Sequence, residues 1–254
     1  MRKLSRNLQS SFCICQRQGQ LAQSIHWISG IFTKMELKSI KNKIPKELYE
    51  ILEKEITSLR PAQEKSVKKG LLDGKSLLVC TPTASGKTLI AELAAIKSII
   101  EDKGKAIYIV PLKALASEKY REFKRRYDRV AKIALSIGDI DSSDLYLSEY
   151  DLIVTTSEKL DSLIRHHSPW LLGIRTVIID EIHLLNDTQR GPTLEILLTI
   201  LKRLLKNAQI IGLSATIGNS EELAEWLNAD LVVDDWRPVK LHKGIYMDGK
   251  VEFY

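Results

Sequence analysis

The sequence contains few cysteines and no long hydrophobic run. Its three cysteines, Cys13, Cys15 and Cys80, are too few for a disulfide framework, and the first two have no second pair of ligands to form a zinc site. No apolar run reaches the ~18 to 20 residues that a membrane-spanning helix requires. We therefore expect an intracellular protein that stays reduced and does not enter a membrane.

Acidic residues are absent from residues 1–34. This segment carries five of the six net positive charges of the chain, contributed by Arg2, Lys3, Arg6, Arg17 and Lys34. The positive net charge of the chain is therefore no evidence that the remaining residues bind nucleic acid. The composition is similar to that of a transit peptide, but we favour the alternative that Met35 is the functional start. In either case residues 1–34 are predicted to form a poorly ordered basic tail.

Glycine is scarce in residues 81–88, the segment around which the other motifs are arranged. The segment follows the apolar run Leu77–Cys80 and precedes a helical pattern. A loop in that position points backbone N–H groups and the helix dipole at one small space, as a phosphate-binding loop requires. Thr81 and Ala84 stand where glycine is usual, so an ordinary strand-to-helix turn is the alternative.

The end of this loop fits the phosphate-binding pattern fully. Lys87 adds a mobile positive charge, and the Thr88 hydroxyl stands where a Mg²⁺ ion that bridges two phosphates needs an oxygen ligand. The predicted nucleotide contacts in the loop are Thr83, Ala84, Ser85, Gly86, Lys87 and Thr88.

Apolar runs alternate with helical patterns along most of the chain. Runs that are apolar on both faces and separated by helices predict a mainly parallel sheet with helices on both faces, the doubly wound α/β fold. Its site is expected at the carboxyl ends of the strands. The predicted strands are 77–80, 106–110, 133–137, 152–154, 177–179 and 210–213, and the predicted helices are 45–52, 61–69, 89–100, 115–127, 158–165 and 194–205.

Two carboxylates follow the predicted strand 177–179, at the same sheet edge as Lys87. Asp180 is positioned to hold Mg²⁺ through water, and Glu181 to take a proton from an attacking water. Acids after a strand also begin turns or cap helices. Because both halves of a nucleotide site occur in one parallel sheet, hydrolysis is the favoured interpretation.

These motifs resemble the first RecA-like motor domain of superfamily-two DExH helicases. The resemblance rests on residues 81–88, on 180–183 (Asp-Glu-Ile-His) and on 214–216 (Ser-Ala-Thr). Five further segments resemble the Ski-two-like group of these helicases, and within it the archaeal DNA repair helicases: residues 59–63, 111–116, 155–160, 190–195 and 236–239. The resemblance covers about residues 40 to 254.

The resemblance implies ATP and Mg²⁺ as cofactors. It implies that Gln63 reads adenine, although the local sequence alone favours a surface glutamine on an amphipathic helix. It also implies that His183 links the nucleotide site to Ser214 and Thr216, which couple hydrolysis to movement in this family. A buried structural histidine is the alternative for His183.

The resemblance further implies a single-stranded nucleic acid partner, with DNA favoured over RNA. Lys113, Ala114, Thr155 and Thr156 are expected to contact the strand's backbone. Thr155 and Glu158 also fit a helix capping box, and one helix end can do both. Arg190 fits a phosphate contact and a surface salt bridge equally well.

The resemblance also suggests how the chain is organised. We expect a helical lead-in at 35–60, the ATP-binding domain at 61–236, and at 237–254 a hairpin that starts the connection to a second RecA-like domain. That domain would supply arginines worth about 10³ to 10⁵ in rate. Without it, we expect a slow ATPase, the motor half of a cytoplasmic, prokaryotic-type DNA helicase. An RNA helicase domain and a non-motor, ATP-dependent binding module remain alternatives.

Overall fold

A computed structural model describes residues 35–138, 144–239, 244–247 and 250–253. The basic tail expected at 1–34 lies outside the described residues. Within them, seven parallel strands form one sheet in the order β3-β4-β2-β5-β6-β1-β7. The strands are β1 Leu77–Cys80, β2 Lys105–Val110, β3 Ile133–Ser136, β4 Leu152–Thr156, β5 Ile174–Ile179, β6 Gln209–Ser214 and β7 Asp230–Val233.

Helices cover both faces of this sheet. They are α1 Lys46–Leu52, α2 Pro61–Lys68, α3 Lys87–Ile100, α4 Lys113–Tyr127, α5 Ser157–Arg165, α6 Gly191–Leu204 and α7 Ser220–Leu227. One hydrophobic core lies between the sheet and α1 to α4, and the other between the sheet and α5 to α7. The predicted doubly wound α/β fold is confirmed.

The strand sequences explain why the sheet is buried on both sides. In β1, Leu77 and Val79 belong to one core, while Leu78 and Cys80 belong to the other. Successive side chains of a strand point to opposite faces, so an unbroken apolar run supplies both cores at once. Cys80 is 1% exposed, and burial raises the pKa of its thiol, as expected of a cysteine that acts as a small hydrophobe.

The structure corrects two expectations about these elements. The helical spacing predicts one buried face for α3, but α3 is buried on nearly all sides, because it packs against α2 and against β2 and β5. The strand β7 is missing from the prediction. Its apolar run, 231–233, stands between Asp230 and Asp234, and in the described sheet it is an edge strand beside β1 that is only partly buried, so it lacks the acid-free apolar context of the other strands.

The end of the chain forms a separate antiparallel pair. Strand β8 (Gly244–Met247) pairs with β9 (Lys250–Phe253), with Met247 opposite Lys250. This is the hairpin predicted from the Asp-Gly pair at 248–249, which itself lies outside the described residues. Among the residues that are described, no helix combines the length and the hydrophobicity that crossing a bilayer would need.

A buried carboxylate joins α3 to α4. Glu92 is 1% exposed; its two oxygens accept hydrogen bonds from Arg126 Nη1 at 2.6 and 2.5 Å, and Oε2 also accepts one from Tyr127 Oη at 2.8 Å. Arg126 reaches on to Glu55, which precedes α2. Despite the arginine, burial raises the pKa of Glu92 from 4.5 to about 7.

This raised pKa predicts a pH-dependent contribution to stability. Glu92 holds its proton more tightly in the folded than in the unfolded state, so its contribution is complete below pH 4.5 and is lost as the pH rises to about 7. Across that interval we expect the free energy of unfolding of Glu92→Gln to fall less than that of the wild type, by about 2 to 3 kcal/mol. Urea denaturation at pH 5 and pH 7.5 measures this difference. The exposed Glu225→Gln is the control, and equal pH slopes for wild type and Glu92→Gln would contradict the prediction.

Candidate nucleotide and nucleic-acid sites

The loop between β1 and α3 contains two residues in the left-handed backbone region. These are Ala84, with φ of 64°, and Gly86, with φ of 90°. The φ of Gly86 favours glycine, and a Cβ atom at this position would lie 2.5 Å from Gln63 Nε2, so a larger residue would also displace the Gln63 amide. Ala84 adopts a conformation that glycine adopts more easily, at the position where the phosphate-loop pattern usually has glycine.

The start of α2 holds this loop in place. Arg60 Nη1 donates to the Ala84 carbonyl at 2.6 Å, and Gln63 Nε2 donates to the Gly86 carbonyl at 2.9 Å. Gln63 Oε1 accepts from the Arg60 backbone N–H at 2.8 Å, which is one half of a capping box; the Arg60 side chain has no acceptor to supply the other half. The Gln63 amide, 3% exposed, is thus engaged within the protein, and its contact with adenine stays a prediction. Gln63 and Gly86 line a cavity of about 450 Å³ that also reaches Thr88.

Lys87 is held by backbone carbonyls. Its Nζ donates to the Thr81 carbonyl at 3.1 Å and to the Ser214 carbonyl at 3.0 Å. Burial lowers the pKa of Lys87, while the nearby carboxylates of Glu181 and Asp180 raise it. The ammonium is therefore directed to the space between the ends of β1, β5 and β6, where a phosphate oxygen can replace a carbonyl.

The Asp180 carboxylate is fixed from two sides. Tyr108 Oη donates to its Oδ2 at 2.8 Å, and the Glu181 backbone N–H donates to its Oδ1 at 3.0 Å. Tyr108 is fully buried, and burial together with the Asp180 charge raises its pKa well above the usual 10.0. Tyr108 therefore remains a hydrogen-bond donor and sets the orientation of Asp180.

Glu181 occupies a strained position at the end of β5. Its φ of 51° lies in the left-handed region, which costs a non-glycine residue about 1 to 2 kcal/mol. The conformation turns the chain from β5 into the short helix Ile182–Asn186 and leaves the Glu181 side chain about 30% exposed. Strain of this kind persists where the surroundings fix it, and it is concentrated at functional sites.

Three residues are expected to couple hydrolysis to movement, and His183 is not hydrogen-bonded to either of the other two within the described part of the chain. His183 Nδ1 is 3.3 Å from Glu181 Oε2 without hydrogen-bond geometry. Ser214 ends β6 and is buried, whereas Thr216 is exposed. Between described residues, no hydrogen bond joins His183 to Ser214 or Thr216, so this coupling role stays a prediction.

The residues at this site fit a Mg²⁺ ion. Thr88 and Asp180, the two predicted ligands, offer oxygen atoms, the ligand type that Mg²⁺ takes. The described part of the chain contains no group of three or more metal-binding side chains. Mg²⁺ is commonly held by one or two protein oxygens together with water and substrate phosphates, so two protein ligands suffice.

Most of the predicted nucleic-acid contacts meet at the neighbouring part of the same sheet edge. Lys113 begins α4 after β2, Thr156 ends β4, and Arg190 precedes α6. These three residues line one cavity of about 260 Å³. Ala114, next to Lys113, is exposed. The nucleotide residues thus follow β5, β6 and β1, and the predicted strand contacts lie beside the ends of β4 and β2.

Thr155 does not join this group. Its side chain is 0% exposed and its hydroxyl donates to the Ser136 carbonyl at 2.7 Å, so it is turned away from any bound strand. The expected capping role of Thr155 is wrong as well. Thr156 caps α5, because its Oγ1 accepts from the Lys159 backbone N–H at 3.4 Å. The strand β4 runs two residues further than its apolar run suggests, which buries Thr155.

Arg190 is placed by the turn before α6. Its backbone N–H donates to Asp187 Oδ1 at 2.9 Å, and the next residue, Gly191, packs so closely that a Cβ atom there would lie 2.2 Å from the Leu185 carbonyl oxygen. Of the two predicted roles, the salt bridge is not observed: among the described residues, Arg190 forms no ion pair. Its phosphate contact stays a prediction.

Sequence reasoning missed three residues that shape the site. Arg60 supports the loop, Tyr108 orients Asp180, and Lys119 of α4 donates to Thr88 Oγ1 at 3.1 Å. Arg60 lies within a segment that carries the resemblance, so a sequence clue existed for it. Tyr108 looks like an ordinary strand residue and Lys119 like an ordinary surface lysine, and only the packing of α4 against α3 and β2 reveals them.

Comparison with known proteins agrees with these motifs. A profile of the family described as DEAD/DEAH box helicase matches residues 60–224. The ATP-dependent DNA helicase Hel308 of Methanocaldococcus jannaschii is 60% identical over 205 residues, covering 78% of this chain and 17% of that protein. Its counterpart from Pyrococcus abyssi is 54% identical over 209 residues, covering 82% of this chain and 29% of that protein.

A solved structure supports the same assignment. The crystal structure of the DUF1998 helicase MrfA superposes with a TM-score of 0.66 at 28% identity, covering 76% of this chain and 32% of that one. The chain spans less than a third of the length of the two Hel308 proteins. The family profile matches well over half of the chain. The chain therefore belongs to the DEAD/DEAH box helicase family.

Proposed function

We propose that this chain is the N-terminal ATP-binding motor domain of an ATP-dependent DNA helicase. Joined to a second RecA-like domain, it couples Mg-ATP hydrolysis to movement along a single strand and to duplex unwinding. The observation that carries the proposal is the meeting of Lys87, Asp180 and Glu181 at one sheet edge, beside the cavity of Lys113, Thr156 and Arg190. The names of the similar Hel308 proteins support DNA as the polymer.

The loop and its lysine bind the phosphates of ATP. Lys87 exchanges its carbonyl partners for phosphate oxygens, and the backbone N–H groups at the start of α3 point at the same space. Thr88 and Asp180 would hold Mg²⁺, and the bound ion would neutralise phosphate charge. Asp180 accepts hydrogen bonds from its fixed partners, and Glu181 accepts the proton of the attacking water.

The nucleic-acid strand lies across the ends of β4 and β2. Lys113 and Arg190 contact its phosphates, and the N-terminus of α5, capped by Thr156, directs further donors toward the backbone. Contacts to the backbone do not depend on the base sequence, so the domain can move along a strand of any sequence. Residues 61–236 form the ATP-binding domain, and 237–254 lead toward the second motor domain. Because the substrate is DNA, we place the protein inside the cell.

ATP turnover by the full chain tests this proposal. We expect slow hydrolysis that rises several-fold with single-stranded DNA, and less with single-stranded RNA. Stimulation by RNA alone would change the polymer but leave the motor domain in place. Saturable ATP binding with no response to either polymer would contradict the motor function.

The strand contacts make a separate prediction about salt. Removing one phosphate contact, in Lys113→Gln or Arg190→Gln, weakens single-stranded DNA binding at every sequence and lowers the slope of log affinity against log salt by about 0.7. Fluorescence anisotropy with labelled oligothymidine between 50 and 200 mM salt measures both effects. Arg165→Gln, an exposed change on α5 away from the cavity, serves as the control. An unchanged salt slope in both variants would place the strand elsewhere.

A further inference from the structure

A second lysine touches the nucleotide site from α4. Lys119 Nζ donates to Thr88 Oγ1 at 3.1 Å and pairs with Glu122 Oε2 at 3.0 Å, and its side chain is only 15% exposed. This ammonium is distinct from that of Lys87, which is held by the carbonyls of Thr81 and Ser214. The hydroxyl that Lys119 contacts is the group that the proposed function assigns to Mg²⁺.

An ammonium and a divalent cation both take a lone pair of this hydroxyl oxygen. Two positive charges bound to one oxygen atom lie within a few ångströms of each other and repel strongly at a half-buried site. Lys119 must therefore leave Thr88 when a cation binds there. Glu122, one turn along α4, already contacts the ammonium and remains its partner after that move.

The same charge can also act on phosphate. Lys119 points from α4 to the first turn of α3, the place where backbone N–H groups gather around a phosphate. Without a metal ion, ATP brings uncompensated negative charge to this point, and an ammonium beside Thr88 offsets part of it. Lysine suits this role because its flexible stem allows the charge to move between partners.

We propose that Lys119 is a positioning residue of the nucleotide site that takes the place of the divalent cation at Thr88 when no metal is bound. It gives way to metal-bound nucleotide by turning to Glu122. The inference rests on the proposed function, because it requires ATP at the loop. It predicts that Lys119 sets how strongly nucleotide affinity depends on Mg²⁺.

Calorimetric titration of ATP into the full chain, with Mg²⁺ or with EDTA, tests this. In Lys119→Met, which keeps the apolar stem, we expect the Kd for metal-free ATP to rise about tenfold, the effect of losing one charge-assisted hydrogen bond. The Kd for Mg-ATP should stay within about twofold of wild type or fall. Lys119→Arg should restore metal-free binding in part. Lys124→Met, on the same helix, removes an ammonium that donates to Tyr120 Oη and is the matched control.

A second variant guards against a folding defect. Glu122→Gln leaves Lys119 in place but removes its charged alternative partner, so Mg-ATP should bind less tightly while metal-free ATP binding is unchanged. Equal changes of the two affinities in Lys119→Met, or no change in either, would overturn the inference and leave the lysine a structural role. If the wild type fails to bind ATP under both conditions, the proposed function fails instead.

Discussion

Lys87→Ala is expected to weaken ATP binding severely. The Kd should rise by at least about 100-fold, because two or more charge-assisted hydrogen bonds to phosphate disappear together. Two backbone carbonyls hold the Lys87 ammonium at the junction of β1, β5 and β6, and among the described residues no carboxylate forms an ion pair with it. Its carbonyl partners are exchangeable, since a phosphate oxygen is the stronger acceptor.

Titration of a fluorescent ATP analogue measures this loss. Lys103→Ala, just beyond the other end of α3, removes the same charge far from the loop and should bind normally. Because Lys87 also bridges two carbonyls, a thermal melt must show that the variant is folded. A folded Lys87→Ala protein that binds ATP within about threefold of wild type would contradict this account of the loop.

Glu181→Gln gives the second large effect, on turnover and not on binding. The amide has nearly the same shape but cannot accept a proton, so we expect hydrolysis to fall by about 10² to 10⁴. The Kd for ATP should stay within about threefold of wild type, since Glu181 is not among the groups that hold phosphate. The substitution at Glu181 changes no hydrogen bond of Asp180, because Glu181 contributes its backbone N–H to that carboxylate and not its side chain.

Single-turnover hydrolysis, with the protein in saturating excess over ATP, separates this effect from nucleotide binding. The exposed Glu195→Gln on α6 is the matched control. Turnover that survives Glu181→Gln within tenfold would mean that another group accepts the proton. A parallel loss of affinity and turnover would mean that Glu181 holds the nucleotide, contrary to the role proposed here.

The fold could be predicted from sequence because apolar runs alternate with helical patterns along the chain. Runs such as Leu77–Cys80 are apolar at every position, and only a doubly covered parallel sheet buries them. Sites of such folds form at the carboxyl ends of the strands, so the sequence alone predicts that Lys87 and Asp180 lie at one edge of the sheet. Their chemistry follows from residue type, which the sequence states directly.

The predictions that failed depended on side-chain partners far away in the chain. Thr155 looks accessible after an apolar run, but the neighbouring strand β3 offers the Ser136 carbonyl and draws it inside. Gln63 looks like a surface residue, yet it is 3% exposed, because the turn at Gly86 leaves a carbonyl that accepts from its amide. Local sequence does not contain such pairings, because they arise when two separate elements pack together.

These pairings also give the loop its resting arrangement. Gln63, Arg60 and Lys87 each donate to a carbonyl of the loop or of its neighbour. These hydrogen bonds keep the loop in a conformation that can receive phosphate. Breaking them costs little free energy, because each donor can exchange its carbonyl for another acceptor. The same logic applies to Lys119 at Thr88. On this basis we expect nucleotide to bind by an exchange of hydrogen-bond acceptors at a loop that is already folded.

We expect one sheet edge to carry two adjacent sites, with nucleotide at the ends of β1, β5 and β6 and a single strand at the ends of β2 and β4. Amide hydrogen exchange of the full chain tests it directly, with Mg²⁺ and a non-hydrolysable ATP analogue, with oligothymidine, or with neither. We expect nucleotide to slow exchange in residues 81–88 and oligothymidine to slow it in residues 111–116 and 156–159. Protection by oligothymidine only at the opposite edge of the sheet, or by nucleotide outside the loop, would contradict the account.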